Sequence, residues 1–116
     1  MKESLKKFNF ALRDGFCVYQ IECLKNKKKY VGCTGRNPSS RFQRHLIELK
    51  AGRHTNVGLQ KDFDLYGEDN FEFSVLDMTD DRHMERQWML RLRTNDDRYG
   101  YNGNDPCFGK KKVSSW

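Results

Sequence analysis

Glu85 sits where a carboxylate is hard to accommodate. On a helical wheel, Met84, Trp88, Leu92 and Met89 span an apolar stripe about 140° wide, and Glu85 falls inside it, about 100° from Met84. A buried carboxylate needs a cation, a metal or hydrogen bonds to offset its desolvation; a salt bridge to Arg82 or Arg86 is the structural alternative. Arg41 and His45 stand one helical turn apart on the margin of a second stripe, Phe42, Leu46 and Leu49. They can therefore reach one cleft beside a sheet, or form only a surface arginine over a half-buried histidine. Tyr19 and Tyr30 belong to two strand-like stretches. A turn centred between Leu24 and Lys25 sets them directly opposite; a turn shifted by a residue or two leaves them diagonal neighbours. Cross-strand packing alone accounts for many such pairs.

These residues lie in a chain of 116 residues, enough for one domain and one core. Aromatics make up 13% of it, which argues against disorder. No apolar run is long enough to span a membrane, and the charged stretch from Met1 to Arg13 does not resemble a secretion signal. The net charge of +6 favours a polyanionic partner, nucleic acid before an acidic membrane surface. Cys17, Cys23, Cys33 and Cys107 form no C-x-x-C pair, and His45, His54 and His83 form no H-x-E-x-x-H pattern. Buried free thiols in a reducing cytoplasm are the expectation.

The elements that must position the candidate residues are legible in outline. Leu5, Phe8 and Leu12 predict a short accessory helix within residues 1–14. Residues 16–23 read as a strand, Lys28 to Cys33 as its hairpin partner, and Lys25-Asn26-Lys27 as the link. Asn37-Pro38 opens a helix running to about Ala51 and stopping at Gly52. A second helix runs from Thr55 or Asn56 to Gly67, with Leu59, Phe63 and Tyr66 as its apolar stripe. Phe71, Phe73 and Val75 alternate with polar residues and predict a third strand. Asp80 is expected to cap a third helix to about Arg93, followed by a polar, Gly-rich remainder. Three strands and three helices make a small α/β sandwich, an α+β arrangement of a three-stranded antiparallel sheet flanked by helices.

Taken in order, the residues resemble the GIY-YIG endonuclease family. Its first motif corresponds to Cys17-Val18-Tyr19, its second to Tyr30-Val31-Gly32 after ten intervening residues, followed by Arg41-x-x-x-His45, Glu85 and Asn102. The stretch Arg53-His54-Thr55-Asn56, with Leu59-Gln60 after it, is similar to the nuclease domains of phage-type homing endonucleases. His54 is thereby implied to be a further active-site or DNA-facing residue, against the alternative of an ordinary loop histidine. Cys17 stands where the family motif has glycine.

The resemblance implies a GIY-YIG nuclease fold over residues 15–108, followed by a basic tail over residues 109–116. It implies a metal-dependent DNA endonuclease, with magnesium or manganese held at Glu85. Arg41 would clamp the scissile phosphate, and Tyr19 would act as general base with His45 accepting or relaying its proton. Tyr30 would orient the water or the phosphate, with the two tyrosine roles exchangeable. Asn102 would act near the glutamate or orient the tail. A phenol titrates near pH 10, so either tyrosine needs a nearby cation to act as base, with Lys29, Arg41 or the metal as candidates. Lys29, Arg36, Arg53, Lys110, Lys111 and Lys112 are the expected nucleic-acid contacts. The partner is DNA, with a homodimer on DNA or a separate specificity subunit as further possibilities. The location expected is the cytoplasm, that of the host if the protein is phage-encoded. The alternatives are a non-cleaving nucleic-acid-binding module of nuclease ancestry and the nuclease subunit of a repair or recombination complex.

Overall fold

The computed structural model describes residues 16–103 except Arg36 and Arg82. The expected helix within residues 1–14, Arg36, and the tail with Lys110, Lys111 and Lys112 lie outside the described residues. Among the described residues, no helix is long and apolar enough to cross a membrane.

Three strands, β1 (Phe16–Cys23), β2 (Lys29–Thr34) and β3 (Phe71–Thr79), form an antiparallel sheet in the order β2-β1-β3. Helices α1 (Pro38–Lys50) and α2 (Val57–Tyr66) separate β2 from β3, and α3 (Met84–Leu92) follows β3. Local chemistry sets most of these boundaries. The Asn37 side chain accepts the Ser39 N–H at the start of α1, with Pro38 at the first turn. Asn56 likewise accepts the Leu59 N–H at the start of α2. Gly52 and Gly67, after the two helices, take positive φ angles of 73° and 89°. The third helix departs from expectation. Asp80 does not cap it; the Asp81 carboxylate accepts the His83 N–H at 2.8 Å, and this turn delays the helix to Met84.

The sheet is covered on both faces. Tyr19, Ile21, Phe71 and Phe73 pack with Phe42, Leu49, Leu59 and Phe63 of α1 and α2. Val18 and Val31 pack on the other face with Met89 of α3, flanked by Leu76, Met84, Trp88 and Leu92. A bulge in β3 serves the second face. Val18 pairs with Asp77 but Tyr19 pairs with Val75, leaving Leu76 as an extra residue. Leu76 then packs toward α3, and Asp77 accepts the Trp88 indole N–H at 3.1 Å.

The outer edge of β2 is closed by the segment the sequence presents only as a polar remainder. Lys29 donates its N–H to Tyr99 and accepts from the Tyr101 N–H. Two residues further along β2, Asn102 accepts the Val31 N–H at 2.8 Å and donates its amide to the Val31 carbonyl at 3.1 Å. Gly100 is required in this clip, because a Cβ there would lie 2.3 Å from the Thr94 Cα and 2.7 Å from the Lys29 oxygen. Asn102 thus satisfies an edge strand that would otherwise keep buried, unpaired backbone groups. Asn102→Ala should lower stability by about 2–4 kcal/mol, the cost of leaving two such groups unmade. Urea denaturation checks this, and an unchanged midpoint would mean that water replaces the clip.

Candidate active site

Tyr19 enters the site by crossing Gly32. The two residues are cross-strand partners, and the Tyr19 ring lies so close that a Cβ on Gly32 would meet its hydroxyl at 2.4 Å. Gly32 therefore has to be glycine for the phenol to pass over the edge strand. Tyr30 pairs with Ile21, so the two tyrosines are diagonal neighbours: the turn centre falls between Lys25 and Asn26. Tyr19 is 1% exposed, whereas Tyr30 is half-buried.

The first helix brings its candidates to the same point. His45 Nε2 lies 2.6 Å from the Tyr19 hydroxyl, and Arg41 Nε donates to that oxygen at 3.3 Å. His45 is 2% exposed. Its other ring nitrogen, Nδ1, lies 2.7 Å from His54 Nε2, and the two imidazoles stack at 5.0 Å. Tyr30 stands edge-on to both rings, at 5.5 Å from His45 and 6.1 Å from His54. Tyr19, Tyr30, Arg41, His45 and His54 thus converge. Glu85 joins from the first turn of α3, half-buried, with its charge acting on the Tyr19 phenol.

The proton order in this cluster follows from one group that can only donate. The Asn56 backbone N–H is 3.0 Å from His54 Nδ1. That nitrogen must accept, so a neutral His54 carries its proton on Nε2 and donates it to His45 Nδ1. His45 in turn carries its proton on Nε2 and donates to Tyr19. The Tyr19 oxygen therefore receives two hydrogen bonds, and its own proton points elsewhere. In this resting order His45 donates to Tyr19, whereas the expectation that His45 accepts or relays the Tyr19 proton concerns the reacting site.

The remaining expectations divide. Lys29 is paired with Glu22 at 3.7 Å and, by strand alternation, faces away from Tyr30, so Arg41 is the cation beside the phenol. Arg53 is exposed in the loop between α1 and α2. Asn102 holds the backbone of the second motif at Val31. Cys17 is fully buried, and burial, followed by nearby Cys33 and Asp77, pushes its thiol up to about 11. Gln60 and Asn56, which had no role assigned beyond the family-like stretch and a helix start, prove to hold the His54 loop. Their signal in the sequence is only an asparagine at a helix start and a glutamine one turn later.

His45, Glu48 and His54 place three ligand-type atoms within 4.8 Å of one another. The hydrogen bonds disfavour a metal there. A ligating imidazole needs an unprotonated nitrogen, yet the Asn56 N–H forces the proton onto His54 Nε2, and Glu48 is held by Arg44 at 3.2 Å. Glu85, half-buried in the first turn of α3 and acting electrostatically on the Tyr19 phenol, is a carboxylate of the kind that suits a hard divalent cation.

Burial, followed by the neighbouring His54 and Arg41, pushes His45 down to about 3 from an ordinary 6.5, and burial also lowers His54. Burial, followed by Tyr30, raises the Tyr19 phenol well above its ordinary value, Arg41 opposing and Glu85 adding to the rise. Between these two histidine values the unfolded chain binds a proton at His45 that the folded protein refuses, so stability falls as pH drops from 6.5 toward 3. From His45 alone, the protein should be about 2 kcal/mol less stable at pH 5 than at pH 7. Urea titrations at both pH values test this, with His45→Gln expected to lose most of the difference; equal wild-type midpoints would mean that His45 protonates in place.

Comparison with known proteins agrees with this geometry. The GIY-YIG catalytic domain matches residues 15–99. Intron-associated endonuclease 1 of enterobacteria phage T4 is 35% identical over 97 residues, covering 79% of this chain. The chain spans 38% of the length of that relative. Among solved structures, the catalytic domain of homing endonuclease I-TevI aligns with a TM-score of 0.64 at 28% identity, covering 76% of this chain and 97% of that one. A mutant of that catalytic domain aligns at 0.67 with 29% identity, covering 78% and 95%. The chain therefore belongs to the GIY-YIG family, whose catalytic domain it carries over residues 15–99.

Proposed function

We propose that this protein is a metal-dependent DNA endonuclease of phage or mobile-element type, with Tyr19, Tyr30, Arg41, His45 and Glu85 at its active centre. The observation that carries the reading is the convergence of His45 and Arg41 on one buried tyrosine hydroxyl within the field of Glu85. Hydrolysis of a phosphodiester requires an activated water, neutralised charge at phosphorus and a stabilised leaving oxygen. Arg41 is anchored through Nε, and its terminal nitrogens offer the planar fork that suits a phosphate. Glu85 is the residue that would hold magnesium or manganese. When bound there, the cation would supply positive charge at the phosphate and oppose the burial that, more than the Glu85 charge, keeps the Tyr19 phenol protonated.

Tyr19 then serves as base toward the attacking water. The two hydrogen bonds it accepts, from His45 Nε2 and Arg41 Nε, would stabilise the phenolate left when the phenol gives its proton to solvent, and that phenolate would take the proton of the attacking water. Tyr30, edge-on to both imidazoles and more accessible, orients water or phosphate. One such site cuts one strand, so a double-strand break needs two successive nicks or a second copy on the DNA. The basic tail, with Lys110, Lys111 and Lys112, adds sequence-independent phosphate contacts. The reading puts the protein in the cytoplasm, where DNA of a phage or mobile element is met.

Supercoiled plasmid assayed with and without magnesium tests the activity itself; an intact plasmid under both conditions would leave a non-cleaving DNA-binding module. Glu85→Ala should abolish nicking while fluorescence anisotropy shows DNA binding retained, and near wild-type nicking would remove Glu85 from the metal role. Tyr19→Phe keeps the ring over Gly32 and removes only the hydroxyl. Its cleavage rate should fall about 10²–10⁴-fold, and full activity would transfer the base role to Tyr30.

A further inference from the structure

We propose that Gln60 is a positioning residue of the active centre, acting from α2 through the loop that carries His54. The proposal rests on the nuclease reading for its catalytic consequence, and on hydrogen-bond geometry alone for its effect on proton order.

The loop between α1 and α2 has to aim two groups at once: the His54 ring at His45, and the Asn56 N–H at His54 Nδ1. Gln60 holds its first half. Its Oε1 accepts the His54 backbone N–H at 3.0 Å, while its Nε2 donates to the Leu49 carbonyl at 3.0 Å and to Asp64 at 2.9 Å. One amide thus joins the end of α1, the loop and α2. Asn56 holds the second half, accepting the Leu59 N–H at 3.0 Å and donating to the Tyr101 carbonyl at 2.7 Å. Between these two anchors the Asn56 N–H is set against His54 Nδ1, and every proton downstream to Tyr19 follows from that contact.

The chemistry demands glutamine at position 60. Glutamate offers no donor for the Leu49 carbonyl, and lysine offers no acceptor for the His54 N–H. Without Gln60 the His54 backbone is no longer tied to the end of α1, the Asn56 N–H can leave His54 Nδ1, and both imidazoles can exchange tautomers. Tyr19 then loses one of its two fixed donors for part of the time. The buried His54 ring is already stacked on His45, so the change alters orientation and proton placement with little rearrangement of the core.

Long-range proton–nitrogen NMR spectra of the full chain at pH 7 should show both His45 and His54 neutral with the proton on Nε2. Gln60→Ala should broaden or split the His54 and His45 resonances into a tautomer mixture. It should lower kcat for plasmid nicking by about 10–100-fold and leave DNA affinity within a factor of two. Asp64→Ala removes only the exposed partner of the same amide and should leave spectra and kcat unchanged. Gln60→Ala with wild-type spectra and wild-type kcat would overturn the proposal, as would a wild-type His54 protonated on Nδ1. If wild-type protein does not nick DNA, the spectra still decide the proton order, and only the nuclease reading fails. Urea denaturation of Gln60→Ala separates a folding defect: stability loss with unshifted tautomers would make Gln60 a purely structural clamp and overturn the proposal.

Discussion

A neutral imidazole has one proton and one lone pair, and in this fold two imidazoles share a single line of hydrogen bonds. The line starts at the Asn56 backbone N–H, which can only donate, and passes through His54 and His45 to the Tyr19 hydroxyl. A cation at either imidazole would put a second proton into a contact that has room for one. Burial enforces the same result by disfavouring charge, which is why both histidines are held neutral below their ordinary range. The rest of the site is arranged around keeping that line intact: α1 supplies His45 and Arg41, and the α1–α2 loop supplies His54.

The line ends at the edge of the sheet, and an edge is a hard place to fix a side chain to a fraction of an ångström. Two devices make β2 rigid enough. Gly32 lets the Tyr19 ring cross the strand in contact with its backbone. The segment after α3 then seals the outer side, with Lys29 and Val31 satisfied by Tyr99, Tyr101 and Asn102. The same segment reaches back to the loop, since the Tyr101 carbonyl accepts from Asn56 and the Tyr101 hydroxyl bonds Asp62 of α2. Edge closure and proton order are therefore mechanically joined through the segment that carries Tyr101 and Asn102.

Cys17 shows where the family motif tolerates change. The close approach that demands glycine occurs at Gly32, under the Tyr19 ring, and not at the start of β1. There a buried side chain is accommodated opposite Thr34. Burial keeps its thiol protonated near neutral pH, and it serves there as a packing group.

Short-range chemistry made much of this protein legible from its sequence. Asn37-Pro38, Asn56 and the glycines at 52 and 67 set helix ends through local hydrogen bonds and backbone sterics, so α1 and α2 begin and end where composition says. Strand alternation exposed one face of β3, and the wheel singled out Glu85 because a carboxylate among apolar residues has few explanations. Other features depended on groups far apart in the chain. The tyrosine register turned on a one-residue displacement of a hairpin turn. The start of α3 was decided by Asp81, not Asp80, because either carboxylate could have made the turn. The pairing of Lys29 with Glu22, the clasp of Asn102 on Val31, and the donation from His45 to Tyr19 all required the folded chain. A side chain's type states what it can donate or accept; only the tertiary structure decides which partner stands within 3 Å, and so which way the proton points.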